Sequence, residues 1–339
     1  MTTIQPHSSR DRYVKKRRLA IGTLLSTAAI SIMGSIVEAG QAKAEELWDP
    51  YLRGVFEGLP AGALPPPGVY GELDSYYTSY SVYGQPFGAA QGYSATQKVP
   101  NSHLSALVEV PIVLWVPGWH FLGASYAAAI AEPFDYNSFQ PFQHAFGGGG
   151  GNLGTYNTVV LPYMLSWTLP GNLFVRNSLT VLLPDASTTM ADIHNGTLTN
   201  GGAPSGNNFA TMQPDLGISW LYDGWNVSVG THFTMNITDS HYDGNSYHSG
   251  TQFSADYTAT KTIGRWTVGL GGEEENQFAS DTLNGVKVPQ SKNVNYAIGP
   301  IVGYDFTNGL GLTFIWNHSF GTSNDVAGDF MDLRLTTRF

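Results

Sequence analysis

The 339-residue sequence has no cysteine, 40 glycines, 17 Phe, 18 Tyr and 8 Trp, and only 12% of its residues are charged, about half the roughly 25% of an average globular domain. A mean hydropathy of −0.12 excludes a bundle of apolar membrane helices, the aromatic content excludes a disordered chain, and the missing cysteines exclude disulfides, thiolate metal sites and a cysteine nucleophile.

The first expected element is an export leader. Arg10, Arg12, Lys15, Lys16, Arg17 and Arg18 form a basic region, Leu19 to Val37 are apolar or small, and Ala42-Lys43-Ala44 is a cleavage site before Glu45. An uncleaved anchor is the rival reading, and the small-residue composition favours cleavage. The leader holds seven of the 16 basic and two of the 26 acidic residues, so cleavage leaves 295 residues with a net charge of −15. Such a chain is a poor match for nucleic acid, which is held largely by Lys and Arg on phosphates.

Residues 45–67 read as an N-terminal arm, periplasmic or lumenal. Leu47, Tyr51, Val55 and Phe56 suggest a short amphipathic helix over Glu45 to Glu57, and Leu59-Pro60 and Pro65-Pro66-Pro67 end it.

From Gly68 to Phe339 the pattern alternates with period two in twelve blocks: 68–83, 102–115, 118–130, 156–169, 171–183, 213–223, 224–237, 249–262, 264–275, 293–305, 309–319 and 329–339. In 224–237, Trp225, Val227, Val229, Phe233, Met235 and Ile237 oppose Asn226, Ser228, Gly230, His232, Thr234 and Asn236, a strand with one apolar and one polar face. Blocks 118–130 and 156–169 are ambiguous, because both faces carry apolar or small residues. Short links such as Val116-Pro117-Gly118 and Tyr222-Asp223-Gly224 follow the even-numbered blocks. Long links, roughly 84–101, 131–155, 184–212, 238–248, 276–292 and 320–328, follow the odd-numbered ones. Strict alternation of short and long links, with an even number of strands, is the signature of an outer-membrane barrel, and the block lengths suit the roughly 9–11 tilted residues that cross the hydrocarbon. The expected fold is therefore all-β, a 12-stranded antiparallel transmembrane barrel over 68–339. Trp225, Trp266, Tyr222 and Phe306 fall at the short-turn ends and Tyr126, Phe233 and Trp316 along or near the far ends, as interface girdles do. A soluble β-sandwich is the rival fold.

The stretch Pro66-Pro67-Gly68-Val69-Tyr70, after a Pro-rich run and before antiparallel strands that end on an aromatic residue, resembles the opening of the outer-membrane family named for the meta-pathway of phenol degradation. The resemblance implies a barrel that acts as a transporter, in the setting of aromatic or other hydrophobic catabolism. It supplies no catalytic residues.

With apolar faces toward lipid, the lumen receives Glu72, Asp74 and Tyr76 from the first strand, Glu109 from the second, Arg176 from the fifth, His232 and Asp256 from the seventh and eighth, and Asp332, Arg334 and Arg338 from the twelfth. They either brace the barrel or line a solute path. Tyr70 and Tyr80 share the inward parity and offer aromatic surface. Phe339 at the end of an alternating strand fits the signal read by the barrel-assembly machinery. Lipolysis would need Ser and His together on the lipid face, but His318 and Ser319 alternate, and Ser228 lies four strand residues, about 13 Å, from His232. Glu273-Glu274-Glu275, Asp239, His241, Asp243 and His248 read as solvated loop charge rather than a calcium site, and Gly147 to Gly151 as a loop without the Lys-Ser/Thr of a phosphate cradle.

The expectation is an outer-membrane channel for passive uptake of small hydrophobic or aromatic solutes, without cofactor, metal or enzymatic activity. Its partners are outer-membrane lipid, lipopolysaccharide and the assembly machinery, with no nucleic acid. A non-transporting structural or surface-interaction barrel is the alternative.

Overall fold

Period-two alternation becomes twelve strands in a computed structural model that describes residues 49–84, 92–307 and 309–339. The expected leader, residues 1–44, and part of the first long link lie outside those residues. The strands are β1 (Gly68–Tyr83), β2 (Lys98–Val116), β3 (Ala124–Ala131, continuing as Phe134–Phe139), β4 (Asn152–Thr155, continuing as Val159–Leu169), β5 (Leu173–Leu182), β6 (Thr211–Tyr222), β7 (Trp225–Asn236), β8 (Gln252–Ile263), β9 (Trp266–Gln277), β10 (Val294–Asp305), β11 (Gly311–Ser323) and β12 (Asp325–Arg338). Each pairs antiparallel with its neighbours in sequence, and β1 pairs with β12 through a register that places Asp74 opposite Arg334. That seam closes the barrel and leaves no free edge, as backbone in lipid requires.

Apart from Asn324 between β11 and β12, the tight turns between barrel strands lie at one end. Between β6 and β7 a two-residue link, Asp223 (φ 48°) and Gly224 (φ 75°), supplies the two positive φ values of a hairpin turn whose twist matches its strands. Both termini of the barrel lie at this end, where Tyr70 is paired with Arg338. Long links collect at the other end, and two of them contribute the short strands Ser240–Tyr242, Asn245–His248, Thr282–Leu283 and Val286–Lys287, which form a separate four-stranded sheet.

Two expected links prove to be partly strand. Residues 131–155 contain the second half of β3, after Pro133 interrupts it, then a short helix, Gln140–Phe146, and the start of β4. Proline has no N–H for the ladder, so the strand breaks at that point and resumes. Across 320–328 the β11–β12 ladder stops at His318 and Asp329. Beyond it β11 stays paired with β10 and β12 with β1. The Gly, Ser and Asn residues there resemble a loop in sequence but are held extended by their other neighbours.

Burial runs opposite to that of a water-soluble core. Leu73, Tyr77, Leu107, Val113, Leu216, Ile218, Val227, Val268, Leu270, Val302, Phe314 and Leu333 are exposed on the outside, while Asp74, Ser178, Gln213, Asp215, His232, Asp256, Glu275, Asn295, Asn317, Asp332 and Arg334 are buried inside. A continuous apolar belt of this kind faces lipid, where a charged side chain at the midplane would cost about 2–4 kcal/mol. Trp225, Trp266, Tyr222 and Phe306 ring the turn end. Tyr126 joins that ring instead of the far one, stacking on Trp119 at 5.7 Å, because β3 begins at Ala124.

Candidate functional site

Residues 49–67 run inside the barrel, without forming the expected amphipathic helix. Gly54 adopts a left-handed φ of 74°, which ends any helical run, and the backbone makes successive turns from Leu52 to Leu59. Backbone groups with no sheet partner must be satisfied elsewhere, and the polar lumenal side chains satisfy them. Asp256 accepts from the Gly54 N–H at 3.2 Å and the Phe56 N–H at 3.1 Å, and also from the Tyr51 hydroxyl. Thr258 accepts from the Gly58 N–H at 2.8 Å, and Ser219 from the Gly62 N–H at 2.7 Å. Arg334 donates to the carbonyls of Glu57 at 2.6 Å and Val55 at 2.9 Å. The approach is close: a Cβ on Gly217 of β6 would collide with the Ala61 carbonyl oxygen.

Charges on this side are compensated in two groups. Arg53 reaches Glu275 at 2.9 Å, Asp325 at 2.7 Å and Asp49. These three carboxylates converge closely enough to hold a cation, and the guanidinium is that cation. Arg334 pairs with Asp74 at 2.7 Å, Asp332 at 3.4 Å and Glu72 at 3.6 Å across the closing seam. Between the groups, the His232 Nδ1–H donates to Asp215 at 2.8 Å, and the ring is sandwiched by two arm rings, Tyr51 at 4.3 Å and Phe56 at 5.2 Å.

The opposite wall is apolar. The arm leaves a cavity of about 570 Å³ against β1 to β4, lined there by Val108, Val110, Ile112, Ala129, Leu161 and Met164. Its lining runs from Tyr70, Thr336 and Arg338 at the turn end to Tyr80, Tyr156 and Ser205 at the loop end. The lumen is thus split lengthwise into a polar half that holds the arm and an apolar half that stays open. A void of this volume, mostly apolar with a few polar groups, has the character of a small-molecule site.

Among the residues expected in the lumen, Asp74, Tyr76, Arg176, His232, Asp256, Asp332 and Arg334 are buried there, with Glu72 beside Arg334. Tyr76 stacks on Phe330 at 5.1 Å and Tyr80 lines the cavity. Arg338 sits at the exposed rim, donating to the Pro67 carbonyl at 2.7 Å. Glu109 is the correction. It lies on the outer face of β2, accepting from the Ser75 hydroxyl at 2.7 Å, and the even-numbered Leu104, Val108 and Val110 point inward instead. A single polar residue among apolar ones marks the inner face only when the lumen is polar on that side, and here it is not. The double-sided apolar character of β2, β3 and β4 is consistent with an apolar lumenal wall, which the sequence alone does not assign.

Glu273 and Glu275 are also corrected, from loop charge to buried lumenal residues of β9. Carrying the outward parity of Trp266, Val268 and Leu270 two steps further would have found them. In the seventh link Asp239 pairs with His248 at 2.9 Å, and the Ser246 hydroxyl, with His248 beside it, holds its carboxyl below the usual carboxylate range. The arm residues Tyr51, Arg53, Phe56 and Glu57 carried no sequence signal beyond their apolar spacing.

Comparison with known proteins agrees with this architecture. A family model described as "Putative MetA-pathway of phenol degradation" matches residues 87–335. No curated protein matches the sequence. Among solved structures, an outer membrane channel from Pseudomonas putida F1 is similar over 82% of this chain and 98% of that one, with a TM-score of 0.66 at 12% identity. The translocator domain of the autotransporter NalP from Neisseria meningitidis is similar over 82% of this chain and 91% of that one, with a TM-score of 0.44 at 8% identity. A FadL homologue from Pseudomonas aeruginosa follows over 84% and 97%, with a TM-score of 0.40 at 10% identity. With the family match spanning β2 to β12 of a closed barrel whose outer face is apolar, the chain belongs to the family of the phenol-degradation MetA pathway and is an outer-membrane β-barrel.

Proposed function

We propose that this barrel is a passive channel for uptake of small hydrophobic or aromatic solutes across the outer membrane. The apolar half-lumen between the arm and β2 to β4 carries the reading: a water-filled pore would be polar around its whole circumference, whereas this path offers a solute Val108, Val110, Ile112 and Leu161 along one side. Movement is diffusion down a concentration gradient, with the arm setting the width. Val110 is the point to test, since it is buried and lines the cavity. Cells displaying the wild-type protein are expected to take up labelled toluene at limiting concentration several-fold faster than cells displaying Val110→Arg at equal folded amount. Equal uptake by wild type, variant and cells lacking the protein would leave a non-transporting barrel as the better reading.

Assembly into lipid and lipopolysaccharide by the barrel-assembly machinery belongs to the same proposal, with Phe339 as the recognised end. Its ring is 80% exposed, and its N–H donates to the Val69 carbonyl at 2.9 Å. Deleting Phe339 is expected to lower the fraction of protein that migrates as a heat-modifiable barrel in membranes; an unchanged fraction would remove that role.

A further inference from the structure

Three arginines line the cavity: Arg53, Arg176 and Arg338. Arg53 is held by three carboxylates and Arg338 lies at the exposed rim. Arg176 is different. It is 6% exposed, its Nε has no hydrogen-bond partner, and it forms no ion pair among the described residues. Its one described contact is the Phe56 ring, whose centroid lies 5.0 Å from the guanidinium carbon. The residues directly across the sheet are small, Ser166 on β4 and Gly217 on β6.

The carboxylate on the neighbouring strand is otherwise engaged. Asp215, on the neighbouring strand, accepts from Thr180 at 2.7 Å, Gln213 at 2.9 Å and His232 at 2.8 Å. Of the acidic residues that line the cavity, Asp49 is held by Arg53, Glu72 lies beside Arg334, and Asp135 accepts from the Asn137 amide through one oxygen while its Oδ1 has no hydrogen-bond partner and no ion pair to Arg176. Asp215 acts on Arg176 only at longer range, a buried guanidinium with no direct partner is unfavourable, and one stacked on a ring keeps its N–H edge free to fork onto a carboxylate.

We infer that the cavity binds a small amphipathic carboxylate, with its apolar or aromatic body against Val110, Leu161 and Met164 and its carboxylate on Arg176. The inference rests on the channel reading and narrows it, from hydrophobic solutes in general to monoanionic ones with an apolar body. Arg176 thereby selects among solutes that the apolar wall alone would accept equally.

Full-length protein, folded in detergent micelles, tests this by equilibrium binding of benzoate, benzyl alcohol and toluene at neutral pH. Wild type is expected to prefer benzoate over the similarly sized neutral benzyl alcohol by at least about tenfold. Arg176→Met is expected to weaken benzoate by about 10- to 100-fold, the range of one charge-assisted hydrogen-bonded pair, with toluene unchanged and the thermal transition not lowered. Toluene bound by wild type without any preference for benzoate overturns the anion site and leaves the channel reading standing. Benzoate and toluene weakened alike in Arg176→Met, with a lowered thermal transition, would show that Arg176 merely braces Phe56, and overturns it too. Wild type that binds neither ligand overturns both readings. The comparison of benzoate with benzyl alcohol on wild type needs no variant, so it decides the matter even if Arg176→Met does not fold.

Discussion

Removal of residues 49–64 is expected to convert a nearly closed barrel into an open one, raising single-channel conductance several-fold while the protein still migrates as a heat-modifiable barrel. Twelve strands enclose more space than eight, whose interior side chains fill, and less than the sixteen of an open porin; here the difference is occupied by the arm. The wall left behind presents Asp74, Asp215, Asp256, Glu273, Glu275, Asp325 and Asp332 against Arg176, Arg334 and His232, so the opened pore should favour cations. Gly217→Val tests the same point with the arm still present, because its side chain would displace the Ala61 carbonyl from the wall. It should raise conductance by less than the deletion does. Conductance and selectivity unchanged in both, with folding intact, would mean that the arm does not limit the path.

Arg334→Met should be the most destabilising single change in the barrel. The guanidinium is 1% exposed and is the cation between Asp74 and Asp332, both fully buried, at the seam where β1 meets β12. Removing one partner of a buried ion pair costs about 3–5 kcal/mol, because the other charge remains desolvated. The same change frees the Val55 and Glu57 carbonyls, so conductance should rise as stability falls. Urea unfolding followed by heat-modifiable migration measures the first effect. Adding Asp74→Asn and Asp332→Asn to Arg334→Met should restore much of the loss, since the two fully buried carboxylates are then neutral and only the more accessible Glu72 lacks its partner. A single variant as stable as wild type would show that the seam does not depend on this network.

The strand framework could be read from the chain because a lipid-facing strand must alternate. Trp225, Val227 and Val229 on β7, and Met331, Leu333 and Leu335 on β12, fix both the strand and its outward face without any knowledge of neighbours. From that parity followed the inward placement of Asp74, Arg176, His232, Asp256, Asp332 and Arg334. Parity does not place Glu109, because both faces of β2 are apolar and its one acidic residue points outward. It was not carried far enough at Glu273 and Glu275, where three consecutive glutamates look like a solvated loop. The link at 320–328 misled for a related reason, since extended Gly and Ser residues depend on strands β10 and β1 that lie far away in sequence.

By itself the sequence determined the number of strands, the faces of those with one polar side, the end that carries the short links and the apolar belt, because each follows from local periodicity and turn chemistry. Only the tertiary structure decided which charges meet, where the arm lies and which wall of the lumen is apolar. Arg53 finds Glu275 and Asp325, and Arg334 finds Asp74, across more than 200 positions of sequence. The arm has no periodicity of its own and takes its path from the hydrogen-bonding side chains of strands that close around it. Arg176 is left facing the cavity without a direct partner because Asp215, on the neighbouring strand, is held by Thr180, Gln213 and His232.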